Sequence, residues 1–121
     1  MVRTNTKIET KPRSNCPVAN TLDIIGDRWT LLIVRDLFKG KKRYNEFLEA
    51  GERIPTNILA KRLKTMEETG IIERKLYSEH PPRYEYALTE NGEKFGEIVK
   101  MLYQWGNKNL SKTKQAGRDF L

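Results

Sequence analysis

The sequence has little of the chemistry on which small enzymes and metal-binding proteins depend. Its 121 residues include one cysteine and one histidine. A single cysteine excludes a disulfide within the chain, and a single histidine argues against a zinc site built from Cys and His ligands. There is no glycine-rich phosphate loop, and the adjacent Glu67 and Glu68 would project about 100° apart on a helix, which does not suit a catalytic pair. We therefore expect no enzymatic activity, no cofactor and no metal.

Long apolar runs are also missing. The sequence contains no stretch of 18 or more apolar residues and no signal peptide, so we expect a cytoplasmic protein that does not enter a membrane. Negative charge is the scarcer sign: Lys and Arg number 23 against 16 for Asp and Glu, a formal net charge of +7. That excess favours a polyanionic partner, and on charge alone an anionic membrane surface would serve as well as nucleic acid.

The length of the chain is sufficient for one domain with a modest core. Residues 1–14 are polar and basic, which predicts a mobile arm that either contacts phosphates or is simply a disordered end. Residues 15–110 are expected to form the folded domain. Residues 111–121 are again polar and basic and predict a loose C-terminal tail.

The middle of the chain predicts an amphipathic helix. Leu59, Leu63 and Met66 recur at the spacing of one helical face. Pro55 suits the start of this helix, because the N–H that it lacks would be unpaired there. Gly70 suits its end, since glycine adopts a positive φ without steric cost.

The opposite face of this helix carries side chains that can reach DNA. On a helical wheel, Asn57, Ala60, Lys61 and Lys64 fall opposite the apolar stripe, with Thr56 at the helix start. The two lysines would contact phosphates, although a basic face of this kind can also be merely solvated. We interpret Asn57 as the base reader, because its amide can form a bidentate pair with adenine.

Two short strands are predicted after this helix. Partial alternation would place three of their residues on one face of a ribbon, Tyr84, Tyr86 and Leu88. Pro81 and Pro82 cannot donate hydrogen bonds to a neighbouring strand, so we expect both in the loop of the ribbon and neither in a strand.

This loop contributes two further candidate DNA contacts. Arg83 would enter a minor groove or grip a phosphate; an ion pair with Glu79 or Glu85 is the alternative. His80 would be a phosphate contact or a neutral loop residue and not a catalyst. A basic-faced helix, a glycine stop and a ribbon with an arginine at its tip are typical of the last helix and wing of a winged helix-turn-helix, which binds double-stranded DNA.

Three helices are expected before this one, at residues 16–25, 28–38 and 45–50. Gly26 would end the first, and Asp27 would cap the second. The third would be the first helix of the helix-turn-helix, with residues 51–55 as the turn. Arg43, in the basic run before it, is either a phosphate contact or a surface charge.

The last helix has more apolar surface than a winged domain of this size requires. Thr89 can cap it, and its stripe consists of Phe95, Ile98, Val99, Leu102 and Trp105. We expect this stripe to pack against the same helix of a second copy and against the first helix, through Val18, Leu22 and Ile25. Packing on its own domain is the alternative. The predicted fold is thus mainly α with a small β-ribbon: a winged helix-turn-helix with extra N- and C-terminal dimerisation helices.

Several motifs carry a family resemblance. In the first half they are Cys16-Pro17-Val18, Asp27-Arg28-Trp29-Thr30-Leu31-Leu32-Ile33 and Arg43-Tyr44-Asn45-Glu46-Phe47. In the second half they are Gly70-Ile71-Ile72-Glu73-Arg74, Tyr77 with Pro81-Pro82-Arg83-Tyr84-Glu85-Tyr86, and Leu88-Thr89-Glu90-Asn91-Gly92. Over roughly residues 15–106 the chain resembles the HxlR-type winged-helix transcriptional regulators.

This resemblance implies a homodimeric bacterial or archaeal regulator that binds a roughly palindromic operator and acts as repressor or activator, with an effector that the sequence does not identify. Pro55 and Thr56 stand where a Ser-Gln pair is common in the family, so the base preference is not carried over. A sequence-independent architectural DNA- or RNA-binding module is the alternative to a specific regulator.

Cys16 has two interpretations. At the start of a helix, free N–H groups favour a reactive thiolate, yet a free cysteine is often a small buried apolar residue. In the family that this chain resembles, the matching cysteine serves some members as a sensor of oxidants or electrophiles. With one cysteine per chain, a disulfide here would join two copies or capture a small thiol.

Overall fold

The computed structural model of the protein describes residue 8 and residues 11–111. Most of the expected N-terminal arm and nearly all of the expected C-terminal tail therefore lie outside the described residues. The described part is mainly α with one two-stranded antiparallel sheet, which confirms the predicted fold class. Its elements are α1 (Pro17–Ile25), α2 (Thr30–Phe38), α3 (Tyr44–Leu48), α4 (Thr56–Glu68), β1 (Ile72–Glu79), β2 (Pro82–Leu88), α5 (Glu90–Glu93) and α6 (Gly96–Asn109). Between residues 11 and 111, none of these helices combines the length and the apolar character of a membrane span.

The starts of α1 and α2 follow from the residues in front of them. Cys16 occupies the N-cap position of α1, and Pro17 is its first residue. The Asp27 carboxylate accepts hydrogen bonds from the backbone N–H groups of Trp29 and Thr30, at 2.9 and 3.0 Å. These bonds satisfy N–H groups at the entrance to α2, whose N-cap is Trp29; α2 begins at Thr30 and not at residue 28 as predicted.

Helix α4 closely matches the prediction. Pro55 is its N-cap, one residue before the helix. At the other end, the N–H of Gly70 donates to the carbonyl of Glu67 at 3.1 Å, and the N–H of Ile71 donates to that of Met66 at 2.9 Å. This pair of bonds is a Schellman motif, which requires a positive φ at Gly70, where φ is 80°.

The ribbon formed by β1 and β2 is the wing. Its strands pair antiparallel from Ile72 opposite Leu88 to Glu79 opposite Pro82. The prediction that Pro82 lies outside the strands is therefore wrong: it is the first residue of β2, a position at which proline is tolerated.

The C-terminal apolar stripe lies on α6, but Thr89, which was predicted to cap that helix, instead caps a separate short helix before it. The Thr89 hydroxyl accepts the N–H of Gly92 at 3.0 Å and so caps α5, a helix of four residues, while Phe95 precedes α6. The same hydroxyl also contacts the carbonyls of Gly70 and Ile71, at 2.5 and 3.1 Å. Thr89 therefore joins the end of the wing to the end of α4.

The core lies between α2, α3, α4, the base of the wing and α6. Phe47, Leu59, Met66, Ile71 and Ile72 are among its largest fully buried side chains. Helix α4 contributes Leu59, Leu63 and Met66 to this core.

Candidate nucleic-acid interface

The outward half of α4 is the candidate reading surface. Leu59, Leu63 and Met66 face inward and are at most 2 % exposed. The opposite side is exposed, as the helical wheel predicts; its members are Thr56, Asn57, Ala60, Lys61 and Lys64. In the described part of the chain, the two lysines of this surface have no ion-pair partner. Hydroxyl, amide and ammonium groups are therefore presented together to a ligand.

Two contacts from distant parts of the chain hold α4 in position. The Tyr44 hydroxyl donates to the carbonyl of Thr56 at 2.8 Å, and an Arg62 terminal nitrogen lies 3.5 Å from an Asp27 carboxylate oxygen. Burial alone would raise the pKa of Asp27, but hydrogen bonds from Thr30 and the backbone, together with Arg62, hold it below its usual value. An ionised carboxylate thus ties the start of α2 to the middle of α4.

The turn between α3 and α4 is held by a second network. The two terminal nitrogens of Arg35 donate to the two Glu52 carboxylate oxygens at 2.9 and 2.7 Å. Arg35 also donates from Nε to Asp36 at 3.0 Å. The hydrogen bond from Arg35 lowers the pKa of Glu52, whereas burial raises that of Asp36 in spite of the adjacent guanidinium. This network links the helix-turn-helix to the central helix α2.

The tip of the wing carries the two loop residues singled out in the sequence. Arg83 is the second residue of β2 and is exposed, and His80 is exposed in the turn. Arg83 forms no ion pair with any residue in the range 11–111, so the alternative of a pair with Glu79 or Glu85 is wrong. The Arg83 guanidinium remains available to a partner.

Two shallow grooves, one between α4 and the wing and one between the start of α3 and the wing, share Tyr44 and Tyr86. The groove beside α4, of about 380 Å³, is lined in part by Ala60, Lys64 and Arg74. The groove beside the wing tip, of about 400 Å³, is lined in part by Arg43, Tyr77 and Arg83. Basic side chains thus line the surface from the reading helix to the wing tip.

Sequence reasoning missed two residues of these grooves. The Arg74 guanidinium lies 4.2 Å from the centre of the Tyr84 ring and 3.2 Å from a Glu67 carboxylate oxygen. Tyr77, at a bulge in β1, supports the Arg43 guanidinium 4.0 Å from its ring centre. Arg74 could have been predicted, because an arginine in a tyrosine-rich ribbon often stacks on an aromatic ring. The position of Tyr77 could not, because no sequence pattern indicates the bulge in β1.

Arg43 is a surface charge with partners of its own. Its Nε and one terminal nitrogen both lie 3.0 Å from the same Glu85 carboxylate oxygen. Its side chain is 45 % exposed, so the remaining guanidinium N–H groups face solvent. The two interpretations of Arg43 in the sequence, phosphate contact and surface charge, are therefore both compatible with its geometry.

The expected dimerisation residues fall into two groups. Ile25 and Val99 are buried at 7 % and 5 %, and Phe95 packs against the core, so these three belong to the core of the chain itself. The prediction that these three residues lie at a surface between two copies is therefore corrected: they pack within one chain. Ile98 is half-buried. The exposed members are Val18, Leu22, Leu102 and Trp105, and Met101, which lies outside the predicted stripe, joins them at 67 % exposure.

Cys16 lies at the surface. Its side chain is exposed and its backbone N–H donates to the Ser14 hydroxyl at 3.0 Å. The interpretation of Cys16 as a buried packing residue is therefore wrong. Arg13, one of the basic residues that precede it, forms an ion pair with Asp23 at 2.8 Å.

Comparison with known proteins gives consistent matches. The family model described as HxlR-like helix-turn-helix matches residues 24–114. The chain is 40 % identical over 93 residues to YdeP of Bacillus subtilis strain 168, an uncharacterized HTH-type transcriptional regulator, and the match covers 77 % of this chain and 73 % of YdeP.

Solved structures agree with this match. The redox regulator HypR in its reduced form is 38 % identical, with a TM-score of 0.73, over 79 % of this chain and 95 % of HypR. The reduced form of the transcriptional regulator YodB from B. subtilis is 30 % identical, with a TM-score of 0.65, over 84 % of this chain and 100 % of YodB.

Proposed function

Because this chain belongs to the HxlR-like helix-turn-helix family of DNA-binding transcriptional regulators, we propose that it acts in the cytoplasm as a homodimer on a roughly palindromic operator. The observation that carries the proposal is the division of α4 into a buried apolar side and an exposed side with Asn57, Lys61 and Lys64. Such a helix lies in the major groove of double-stranded DNA, and the wing follows the backbone or the minor groove.

Each exposed group has a distinct proposed role. Asn57 reads adenine through a bidentate amide contact, since an amide matches the donor and acceptor on the major-groove edge of that base. Lys61 and Lys64 neutralise phosphates, and Thr56 and His80 are further contacts to the backbone. Arg83, which has no partner among residues 11–111, reaches the backbone or the minor groove beyond the wing.

The proposed dimer uses the exposed apolar residues of α1 and α6. Val18, Leu22, Leu102 and Trp105 are each more than half exposed, which is unusual for so many large apolar side chains in one small domain. Covering them with the same surface of a second copy gives a two-fold symmetric contact. The two copies of α4 would then lie about 34 Å apart, which is one turn of DNA.

Cys16 is the proposed sensor of oxidants or electrophiles. HypR is described as a redox regulator with reduced and oxidized structures, and YodB has reduced and diamide-treated structures. The thiol of Cys16 is exposed on the helix that also carries Val18 and Leu22. An oxidant that accepts two electrons and two protons would join the Cys16 thiols of two copies, or one thiol and a small thiol, in a disulfide. Such a bond would alter the contact between copies and hence the spacing of the two α4 helices.

Selection of bound fragments from random double-stranded DNA tests the proposal. A sequence-specific regulator should enrich a palindromic motif and bind it at least ~1,000-fold more tightly than competitor DNA of unrelated sequence. Fragments without a shared motif, bound with equal affinity, would instead identify a sequence-independent architectural module. Equal or tighter binding of RNA would identify an RNA-binding module.

A further inference from the structure

The acidic residue Glu85 lies in the middle of β2, beside the basic residues Lys42 and Arg43 that precede α3. Its carboxylate Oε2 is 3.0 Å from two nitrogens of Arg43 and 3.7 Å from the Lys42 ammonium. The Glu85 side chain is 25 % exposed, whereas those of Arg43 and Lys42 are 45 % and 56 % exposed. One carboxylate therefore holds two cations at the protein surface.

The backbone around these cations is fixed, so their side chains alone can change partner. The N–H of Tyr86 donates to the carbonyl of Lys42 at 2.7 Å, and Arg43 forms an isolated bridge with Glu85. On the other side, the Glu46 carboxylate accepts the N–H groups of Lys42 and Arg43, both at 2.9 Å. The backbone of Lys42 and Arg43 is thus bonded on both sides, to β2 and to Glu46.

Arg43 lies at the surface that faces DNA in the proposed complex, and Lys42 directly precedes it. Arg43 lines the same groove as Arg83 of the wing tip and stacks on Tyr77 at 4.0 Å. It is also the N-cap residue of α3, the first helix of the helix-turn-helix. A phosphate backbone that runs between α3 and the wing would pass over Arg43, whose guanidinium is paired with Glu85.

We propose that Glu85 is a specificity-determining residue, which competes with DNA phosphates for Arg43 and Lys42. On DNA of unrelated sequence, the two cations remain paired with Glu85 and release no counterions. On the operator, the bases that α4 recognises hold a phosphate against the groove, and Arg43 and Lys42 exchange Glu85 for it. Glu85 thus weakens non-specific binding more than operator binding. The proposal rests on the proposed function, since it requires an operator.

The physical basis is counterion release. A cation that is already neutralised by a carboxylate displaces no salt ions when it meets a phosphate, whereas an unpaired cation does. The Glu85 carboxylate also repels a phosphate directly. Both effects lower the affinity of non-specific complexes, because these are stabilised almost entirely by phosphate contacts. In the operator complex, base contacts offset the loss of affinity.

Glu85→Gln tests the proposal, because it removes the charge and nearly preserves the shape. The affinity of the full chain for unrelated DNA should rise several-fold, with a salt dependence steeper by about 0.9 for each additional phosphate that one copy neutralises. Operator affinity should rise by a smaller factor, so that the ratio of operator to non-specific affinity falls. An unchanged or larger ratio would overturn the proposal.

Two matched variants exclude a general charge effect. Glu73 is exposed on the same ribbon, opposite Ala87, and has no ion-pair partner in the described part of the chain. Glu73→Gln changes the net charge equally and should leave the ratio near that of the wild type. In an Arg43→Ala, Lys42→Ala background, Glu85→Gln should remove only the direct repulsion and no longer make the salt dependence steeper by additional phosphate contacts; an undiminished steepening there would overturn the exchange of partners.

The outcomes separate this inference from the proposed function. If the wild-type protein does not distinguish any selected sequence from competitor DNA, the proposed function fails. If the wild-type protein does prefer a selected sequence, the two variants are compared. Equal ratios of operator to non-specific affinity and equal salt dependences for Glu85→Gln and Glu73→Gln would then refute only the role of Glu85. Unfolding temperatures of all variants serve to exclude loss of the fold as the cause.

Discussion

Replacement of Lys61 and Lys64 by alanine tests the orientation of α4 most directly. Both side chains are exposed on the side opposite Leu59, Leu63 and Met66, so their removal leaves the core untouched. Alanine is also the most favourable residue in a helix, so α4 itself should not be weakened. The stability of the protein should therefore stay close to that of the wild type while DNA binding changes.

The size of the change follows from counterion release. Each lysine that contacts a phosphate contributes about 0.9 to the slope of log affinity against log salt concentration. Two lysines in each of two copies make four contacts, so the double variant should have a slope smaller in magnitude by about 3.6. Over a fourfold increase in salt, the affinity of the wild type should then fall by about two more powers of ten than that of the variant.

Fluorescence anisotropy with a labelled operator fragment, at four or more salt concentrations, measures both slopes. Lys94→Ala is the control: Lys94 is exposed next to α5, which follows the end of β2 distant from the wing tip, and the variant loses one positive charge per chain, as each single lysine variant of α4 does. Its slope should equal that of the wild type. Equal slopes for the wild type and the double variant would refute the assignment of this face of α4 to DNA.

Four further predictions concern bases, assembly, acid stability and the thiol. Asn57→Ala should relax the base preference at one position of each half-site, at a cost of ~1–3 kcal/mol, as measured by repeated fragment selection; a uniform loss across all sequences would make Asn57 a backbone contact. Leu102→Glu should convert a dimer into a monomer in sedimentation at micromolar concentration, because it places a charge on an exposed apolar surface; a wild-type monomer would contradict the dimer. The folded-state pKa of Asp27 is lowered, so the contribution of Asp27 to stability is present above its unfolded pKa and is lost as pH falls through the folded value. The unfolding temperature of Asp27→Asn should accordingly vary less between pH 6 and pH 2 than that of the wild type. Parallel plots of unfolding temperature against pH would argue against the capping role. Treatment with diamide should change operator affinity in the wild type and not in Cys16→Ser, as judged by the same anisotropy assay; an equal response of the two proteins would exclude Cys16 as the sensor.

The parts of the structure that depend on local pattern could be predicted from the sequence. The spacing of Leu59, Leu63 and Met66 fixes which side of α4 is buried, and this in turn places Lys61 and Lys64 outside. The end of α4 at Gly70 was predictable for the same reason, because the requirement for a positive φ is local.

Contacts between distant segments were not predictable. Glu85 pairs with Arg43, 42 residues away, and Arg62 pairs with Asp27, and no spacing rule connects either pair before the elements are packed. Nor does an apolar stripe indicate what covers it. Val99 and Trp105 belong to the same stripe, yet Val99 is buried in its own domain and Trp105 is 60 % exposed, because the face of α6 that packs on the core carries Val99 and Tyr103.

The prediction for Pro82 failed for a different reason. Proline cannot donate to a neighbouring strand, but the first residue of a strand can lack that bond at little cost. The turn at His80 and Pro81 is tight, so β2 starts at Pro82, two residues before Tyr84. This start makes Arg83 part of a strand, so its backbone is held by the ribbon while its side chain is exposed.

The joint between α4 and the wing has a consequence for the DNA that this protein can read. Gly70 and Ile71 alone separate the C-cap of α4 from the first residue of β1, and the Thr89 hydroxyl contacts both of their carbonyls. Helix α4 and the wing therefore move as one rigid unit, with a constant distance between them. Within each half-site, the number of base pairs between the helix contacts and the wing contacts should thus be invariant, and a one-base-pair insertion there should be tolerated far less well than a substitution at the same place.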